Sequence, residues 1–354
     1  MLTLFGPWGT EYKNKGGCIM KRLLFIFLVC FLGASLIVAA GPKKAEAKAY
    51  VFKFAHSQPL TSPRHRSMLF FEEILEKASG GRIAVELFGG GVLGTESEVM
   101  DMVKVGNLQG TRGGLFAKAN KKFLFYTLPF LFDDTKQVLK VMRGPFGVKI
   151  AEGAKKNGFY IPATGVAGGF RQFTNNTRPI ETPADIKGLK MRTPPIDSIV
   201  RTMKAIGASP QSVPYKETYM ALKTGVVDGE ENPASNITEM KFYEVQKYFT
   251  IVNYQVHPDP LFVNLAWYKG LPGDLKNIFD AVAKAAIIYS DTVWLSSEKD
   301  YINFLEKKLK VNVISPENRK LFIEKVKPVW TYYINQGLFT QAEIDEARAI
   351  AAGM

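Results

Sequence analysis

The chain has 354 residues, of which 46% are apolar, and its 46 basic and 33 acidic side chains give a formal net charge of +13. That length is enough for two domains with sizeable cores. Both cysteines, Cys18 and Cys30, lie near the start, which excludes disulfides, thiol catalysis and cysteine-bound metals from the rest of the chain. The lysines are dispersed rather than clustered, so nucleic acid is not expected as a partner.

The beginning of the chain is typical of an export signal. Basic residues precede an apolar run over 23–40, and the small residues that follow offer an A-x-A cleavage pattern. We predict a leader and cleaved signal peptide over 1–47, with Met20 a more typical start than Met1. An uncleaved membrane anchor is the alternative, because the 18 residues of the run can just cross a bilayer. Without the leader, 40 basic and 31 acidic residues leave a net charge of +9.

Strand and helix patterns alternate after the leader. This alternation favours an α/β fold in which parallel or mixed sheets carry helices on their faces. The helix that begins at Thr95 opens with a capping box to Glu98. The first four elements are predicted over 51–57 (strand), 63–78 (helix), 82–88 (strand) and 95–106 (helix).

The glycines of 89–94 match the G-x-G-x-x-G pattern between a strand and a helix. A dinucleotide site also needs an acidic residue about 20 positions further on, to bind the ribose. The stretch 110–127 contains no Asp or Glu. We therefore predict no cofactor here, and a tight turn before a helix that either binds an anion or only turns the chain.

The α/β pattern continues to the end of the chain and includes one unusually long helix. The 37 residues of 274–310 contain no Gly or Pro and keep roughly helical spacing. At 1.5 Å per residue they would extend about 55 Å, more than one lobe of about 150 residues, so we predict a helix that spans two domains. Other elements are predicted over 135–156 (helix), 159–176 (extended), 188–194 (strand), 196–206 (helix), 208–215 (strand), 216–225 (helix), 226–233 (strand), 240–250 (amphipathic) and 259–272 (strand and turn).

Arg192 is the strongest candidate for a binding residue. It lies at the carboxyl end of the strand predicted over 188–194, where open α/β sheets place their ligands. Its guanidinium is a planar fork that suits a carboxylate. A structural salt bridge is the alternative reading of a lone arginine. A second arginine, Arg171, follows two glycines in a segment typical of a crossing between domains.

No catalytic or metal constellation is apparent after the leader. The three histidines, His56, His65 and His257, are isolated, and neither H-E-x-x-H nor G-x-S-x-G occurs. The adjacent Glu230 and Glu231 fall on one strand, so they face opposite sides. We therefore predict a protein that is not an enzyme and holds no metal.

With Arg171, Arg192 and Asn232 in order, the sequence resembles the substrate-binding proteins of tripartite ATP-independent periplasmic (TRAP) transporters, of the dicarboxylate-binding type. The resemblance covers nearly all of 50–350. Its most specific segments are 91–109, 168–176, 182–194, 207–233 and 241–248.

The resemblance implies a two-lobed periplasmic-binding-protein fold of the type II-like class, each lobe a mixed β-sheet flanked by helices, with the long helix spanning both. Lobe I is expected over 48–168 plus 258–297, and lobe II over 169–257 plus 298–354. The implied function is that of a periplasmic receptor that closes on an organic acid and delivers it to TRAP membrane subunits, one small with four spans and one large with many. A monomer or a homodimer is expected.

The resemblance also implies roles for individual residues. Arg192 would form the main salt bridge to the ligand carboxylate, Arg171 would add a second cationic contact, and Asn232 would hydrogen-bond the ligand. Tyr215 would line the pocket. The remaining candidates for ligand binding are Ser57, His56, Phe170, Glu231, His257 and Asp259.

Arg112 departs from the family pattern. Sialic-acid binders of the family carry an acidic pocket residue near this position, so we do not expect sialic acid here and instead expect Arg112 to recognise a second carboxylate. Two other functions remain open. One is a sensory binding protein for an organic acid, and the other is a secreted enzyme that acts on a small acid with Arg192 as a substrate clamp.

Overall fold

The computed structural model describes residues 50–353, and the predicted leader and signal peptide lie outside the described residues. The described strands form two mixed sheets and a separate two-stranded ribbon. The strands are β1 (Tyr50–Ala55), β2 (Ile83–Phe88), β3 (Gly110–Thr111), β4 (Phe159–Tyr160), β5 (Thr164–Phe170), β6 (Gln172–Asn175), β7 (Lys190–Thr193), β8 (Ser209–Ser212), β9 (Gly229–Asn232), β10 (Tyr248–Ile251), β11 (Val256–Pro260), β12 (Phe262–Asn264) and β13 (Lys310–Val313).

Helices cover both sheets, and short 3₁₀ turns connect several of them. The 3₁₀ turns span Phe116–Lys118, Lys121–Thr127, Ala154–Asn157, Tyr215–Glu217 and Phe242–Glu244. The α-helices are α1 (Pro63–Ala78), α2 (Glu96–Val105), α3 (Thr135–Arg143), α4 (Pro145–Gly153), α5 (Pro183–Ile186), α6 (Asp197–Ala205), α7 (Thr218–Lys223), α8 (Ala234–Glu239), α9 (Leu265–Gly270), α10 (Gly273–Glu306), α11 (Pro316–Asn335) and α12 (Gln341–Ala352).

Each lobe is built on one sheet. The first sheet has the strand order β2-β1-β3-β12-β4, with β1 parallel to its neighbours and β12 antiparallel to its own. The second sheet has the order β13-β10-β6-β9-β7-β8, with β7 parallel to β8 and β9. The ribbon of β5 and β11 carries the chain from β4 to β6 and back from β10 to β12. The chain therefore crosses between the sheets twice through this ribbon.

The long helix α10 spans both lobes. It has 34 residues, or about 51 Å at 1.5 Å per residue. Its first half buries Phe279 against Phe52 of β1, with ring centroids 5.2 Å apart. Its second half buries Trp294 in a cluster that contains Phe249 of β10. Burying a side chain of this size contributes about 2–3 kcal/mol, so both ends of the helix are held. The predicted two-lobed α/β fold with a spanning helix is confirmed.

Two predicted elements are broken in the structure. The helix expected over 135–156 is interrupted between α3 and α4 at Gly144, whose ψ of 179° is extended. Pro145 has no N–H to continue the helix and disfavours helical backbone at the residue before it. The amphipathic stretch 240–250 forms a 3₁₀ turn and then β10, because pairing with β6 and β13 satisfies its backbone.

The residue boundaries of the lobes stay a prediction. The C-terminal helix α12 packs against α3, and Lys122 forms an ion pair with Glu343. The last helix thus contacts the segment assigned to lobe I from the sequence. Within the described part of the chain, no helix is both long enough and apolar enough to cross a bilayer.

Replacing Gly168 by alanine should destabilise the crossing between the lobes. Gly168 has φ +86°, and an added Cβ would lie 2.5 Å from Ser235 Oγ and 3.3 Å from Pro233. Gly188 is a matched control, since its φ is +78° and no atom lies within 4 Å of an added Cβ. Both variants carry the strain of left-handed backbone, about 1–2 kcal/mol. We expect Gly168→Ala to lower the free energy of unfolding in urea by at least about 1 kcal/mol more than Gly188→Ala. Equal losses would contradict a close approach of β5 to α8.

Candidate functional site

A small cavity of about 30 Å³ lies between the two lobes. This is room for about two water molecules, so a larger ligand needs the surrounding groups to move apart. The first lobe contributes Gln58, Arg64, Glu96 and Gly114 to the lining, the ribbon contributes Ala167 and His257, and the second lobe contributes Arg171, Arg192, Pro194, Tyr215, Asn232 and Asn236.

Arg192 is a buried cation whose charge the protein leaves unpaired. Strand β7 holds it with 1% of its surface exposed. Its Nε and Nη2 donate to the carbonyl of Val213 over 3.0 and 2.8 Å, and the Tyr215 ring centroid lies 5.9 Å from the guanidinium carbon. Among the described residues, no carboxylate oxygen lies within 4 Å of its nitrogens. Burial lowers the pKa of Arg192, and Glu231 opposes that shift. An anion in the cavity would relieve the cost of burying this charge.

Arg171, in contrast, is neutralised by Glu231. Its Nε and Nη2 both donate to the Glu231 carboxylate, and Nη2 also donates to the Glu231 carbonyl. Burial is the largest single influence and acts to lower the pKa of Arg171, but the charge and hydrogen bond of Glu231, with Tyr254 and Glu230, together raise the pKa. Tyr254 donates its hydroxyl to the same carboxylate, and His257 Nδ1 lies 3.4 Å from Arg171 Nη1. Arg171 thus reaches the cavity with its charge already balanced.

Two further arginines share one carboxylate behind the cavity. Asp259 pairs with Arg64, Nη2 to Oδ1 over 3.1 Å, and with Arg112 through Nη2. Arg112 also donates to Ser67 and has no exposed surface. It does not line the cavity and is paired with Asp259, so recognition of a second ligand carboxylate by Arg112 stays a prediction that its position does not support. We refer to Arg64, Arg112, Arg171 and Arg192 as the cleft arginines.

Arg64 was missed in the sequence, although a signal existed. It is buried, it lines the cavity, and its Nη1 has no hydrogen-bond partner. It occurs at the start of α1, where an arginine normally faces solvent. However, Met68, Phe71 and Leu75 follow it at helical spacing on the buried face of that helix. An arginine in line with buried residues predicts a buried cation.

Two asparagine side chains, Asn232 at the end of β9 and Asn236 in the helix that follows, line the cavity. Asn232 Nδ2 donates to Glu230, and Asn236 Nδ2 donates to Asn232 Oδ1 over 3.2 Å. Asn236 Oδ1 is buried without a partner. Burial raises the pKa of Glu230 to about 7, although its hydrogen bond from Asn232 opposes the shift. Asn236, one helical turn after Asn232, was not among the sequence candidates.

Glu96 is the acidic residue of the lining. Its Oε1 accepts from Ser57 Oγ over 2.9 Å and its Oε2 accepts from the backbone N–H of Gly114 over 3.3 Å. Sequence analysis missed it because an acidic residue in the first turn of a helix is ordinarily explained by the helix dipole. Gln58 accepts from the hydroxyl of Tyr215 over 3.3 Å, which joins the two lobes across the cavity.

His56 is not part of the cavity lining and lies against His65. Its Nε2 lies 3.0 Å from His65 Nδ1, and its Nδ1 accepts from the backbone N–H of Gln58 over 3.2 Å. Burial, together with the charges of Arg64 and Arg112, lowers the pKa of His56 to about 2. The pair is therefore neutral near pH 7.

The structure brings five of the eleven sequence candidates to the cavity and leaves the others behind it. Those that line it are Arg171, Arg192, Asn232, Tyr215 and His257. The other six are buried but do not line the cavity: His56, Ser57, Arg112, Phe170, Glu231 and Asp259. In the described part of the chain, no group of three or more histidine, cysteine or acidic side chains is arranged to hold a metal ion.

The fold and the cavity define a two-lobed solute receptor. The family model of the bacterial extracellular solute-binding protein, family 7 (DctP), matches residues 54–336, and the chain belongs to this family. The family predicted from the sequence motifs is confirmed. Its members are substrate-binding components of transport systems.

Relatives match most of the chain. It is 30% identical to the C4-dicarboxylate-binding periplasmic protein DctP of Vibrio cholerae over 292 residues, which is 79% of this chain and 85% of that protein. It is 28% identical to the uncharacterized protein y4mM of Sinorhizobium fredii over 83% of this chain, but spans just 55% of that protein. The solved structure of the sugar acid binding protein DctPAm from Advenella mimigardefordensis, in complex with galactonate, is 28% identical with a TM-score of 0.81 and covers 87% of this chain and 99% of its own.

Removing the shared carboxylate should strongly destabilise the protein. Asp259→Asn leaves Arg64 and Arg112 buried without a counter-charge, and breaking one partner of a buried pair costs about 3–5 kcal/mol. The control is Glu324→Gln, which removes an exposed pair with Lys327 and should cost about 0–1 kcal/mol. Urea unfolding at pH 7 measures both. A similar decrease in the free energy of unfolding of both variants would contradict a structural role for Asp259.

The buried His56 should make the protein less stable in acid. Its pKa is about 6.5 in the unfolded chain and about 2 in the fold, so between these values the unfolded chain binds the extra proton. Stability is then lost as pH falls below about 6.5, by up to about 1.4 kcal/mol per pH unit. Glu230 and Asp291, whose pKa values burial raises to about 7 and about 6, act in the opposite direction.

The comparison of wild type with His56→Gln isolates this contribution. From pH 7.5 to 4.5, the free energy of unfolding of the wild type should fall relative to that of the variant. Parallel pH profiles would show that the pKa of His56 is the same in the folded and unfolded states and would contradict this prediction.

Proposed function

We propose that this chain is a periplasmic receptor that binds an organic acid in its interlobe cleft and delivers it to a TRAP-type secondary transporter. The observation that carries the proposal is the buried guanidinium of Arg192, which has spare donors facing the cavity and no carboxylate of its own among the described residues. The relatives support the same ligand class, since one is named for C4-dicarboxylates and another is solved with galactonate.

Each lining residue has a separate task in this proposal. Arg192 forms the salt bridge to the ligand carboxylate, and Tyr215 packs beside it. Arg171 stays paired with the Glu231 carboxylate, and its Nη1 remains available to a ligand in the cavity. Asn232 uses its second amide hydrogen for the ligand, since the first is donated to Glu230.

Contacts across the cleft favour a closing motion. Thr61, just before α1, donates to Glu239 Oε2 over 2.6 Å, and Tyr301 of α10 donates to Glu239 Oε1 over 3.0 Å. The bond from Thr61, like that from Tyr215 to Gln58, joins groups of different lobes, whereas Tyr301 and Glu239 both belong to the second lobe. A ligand anion beside Arg192 adds to them, so it shifts an open–closed equilibrium toward the closed form that the transporter recognises.

Export and assembly complete the proposal. A signal peptide within 1–47 directs the chain to the periplasm and is cleaved. The membrane partners are the small four-span and the large multi-span TRAP subunits, and the receptor acts as a monomer or homodimer.

Binding of an organic acid should depend on Arg192. The exported protein, unfolded and refolded to remove carried ligand, is screened by thermal shift against monocarboxylates, dicarboxylates, uronates, aldonates and keto acids. Ligand at 100 times its dissociation constant adds about 2.7 kcal/mol of stability. Arg192→Ala should weaken binding at least about 100-fold, since a desolvated charge pair is lost. It should also leave the ligand-free protein as stable as before or more stable, because an unpaired buried charge has been removed.

The control is Lys190→Ala, an exposed cation two residues away on the same strand. It should bind like the wild type. Undiminished binding by Arg192→Ala would contradict the proposed site, and a protein that responds to none of these acids would contradict the proposed function.

A further inference from the structure

The cavity contains hydrogen-bond acceptors that the protein leaves unsatisfied. The Glu96 carboxylate has about four acceptor positions and receives two hydrogen bonds, from Ser57 and Gly114. No lysine or arginine nitrogen of the described residues lies within 4 Å of it. Asn236 adds a buried Oδ1 that accepts nothing from the protein. A ligand that separates these groups and binds among them therefore gains by bringing donors as well as acceptors.

The charges around the cavity balance one ligand carboxylate rather than two. The four cleft arginines face the carboxylates of Glu96, Glu231 and Asp259, and the buried Glu230 adds part of a further negative charge, so the excess is at most one positive charge. Glu230 lies beside them and is partly protonated near pH 7, because burial raises its pKa to about 7. A ligand with a single negative charge neutralises this excess, whereas a doubly charged ligand overcompensates it in a poorly solvated site.

We propose, building on the proposed function, that the ligand is a hydroxylated monocarboxylate such as a sugar acid, whose carboxylate pairs with Arg192 while its hydroxyls donate to Glu96 and Asn236. Glu96 is then the residue that sets specificity. The unpartnered Nη1 of Arg64 donates to a hydroxyl oxygen of the same ligand.

The same geometry discriminates against two related classes of acid. A dicarboxylate without hydroxyls has no donor for Glu96 or Asn236 and would bring a second negative charge toward Glu96. An amino acid could offer its ammonium to Glu96, but that ammonium would share the cavity with the free Nη1 of Arg64. A hydroxyl both donates and accepts, so it satisfies Glu96 and Arg64 together.

The test compares ligands on the wild-type receptor by isothermal titration calorimetry. Galactonate and galacturonate represent the proposed class, succinate and glutarate the dicarboxylates, hexanoate the plain monocarboxylates, and glutamate and alanine the amino acids. We expect at least one hydroxylated monocarboxylate to bind ten-fold or more tightly than every member of the other three classes. Analogues of that acid lacking single hydroxyls should lose affinity at one or more positions, a measurement that needs no variant.

Variants then assign the selectivity to Glu96. Glu96→Gln should weaken binding of the hydroxylated acid about ten-fold or more and should not weaken binding of succinate, so the ratio of the two affinities falls. Asp101→Asn, an exposed carboxylate on the same helix, should change neither.

The inference is overturned if a dicarboxylate or an amino acid binds most tightly, or if Glu96→Gln weakens all ligands equally. If the preferred acid is a dicarboxylate whose binding still requires Arg192, the proposed function stands and just this inference fails. If no acid binds at all, both fail.

Discussion

The structure depends on how buried guanidinium groups are neutralised. Taking an arginine out of water costs several kcal/mol unless a carboxylate lies against it, and the four cleft arginines are all almost fully buried. Glu231 neutralises Arg171, and Asp259 is shared by Arg64 and Arg112. Among the described residues, Arg192 has a backbone and an aromatic contact but no carboxylate partner. One positive charge, that of Arg192, is therefore left for a ligand, while the other three arginines are held by Glu231 and Asp259.

The fold supplies the motion that such a site needs. The ribbon of β5 and β11 and the long helix α10 connect the lobes, and polar contacts join them directly across the cleft, as between Thr61 and Glu239. Polar contacts of this kind can exchange with water when the lobes separate, so they cost little to break. An anion beside Arg192 supplies the differential affinity that selects the closed form.

The sequence predicted the fold well, and it also predicted the second lobe's side of the cavity, where Arg192 lies. Strand periodicity placed Arg192 correctly at the end of β7, and the long segment without Gly or Pro predicted α10. These features depend on local patterns, which a single sequence records directly.

The other side of the cavity depends on pairing between distant residues. Arg112 and Asp259 are 147 positions apart, and nothing in their local patterns shows that they neutralise each other. Arg64 and Glu96 both stand in the first turn of a helix, where charged residues are common for other reasons. Their roles follow from the way α1 and α2 are turned toward the cleft, and this is a tertiary property.

The most direct test of the central claim changes the ligand rather than the protein. Calorimetric titration would compare the tightest-binding acid with its own carboxamide, which keeps the shape and every hydroxyl but has no charge. If Arg192 anchors the carboxylate, the amide should bind at least about 100-fold more weakly, since the buried cation loses its counter-charge. Equal affinity for acid and amide would show that the cleft does not recognise its ligand through this charge.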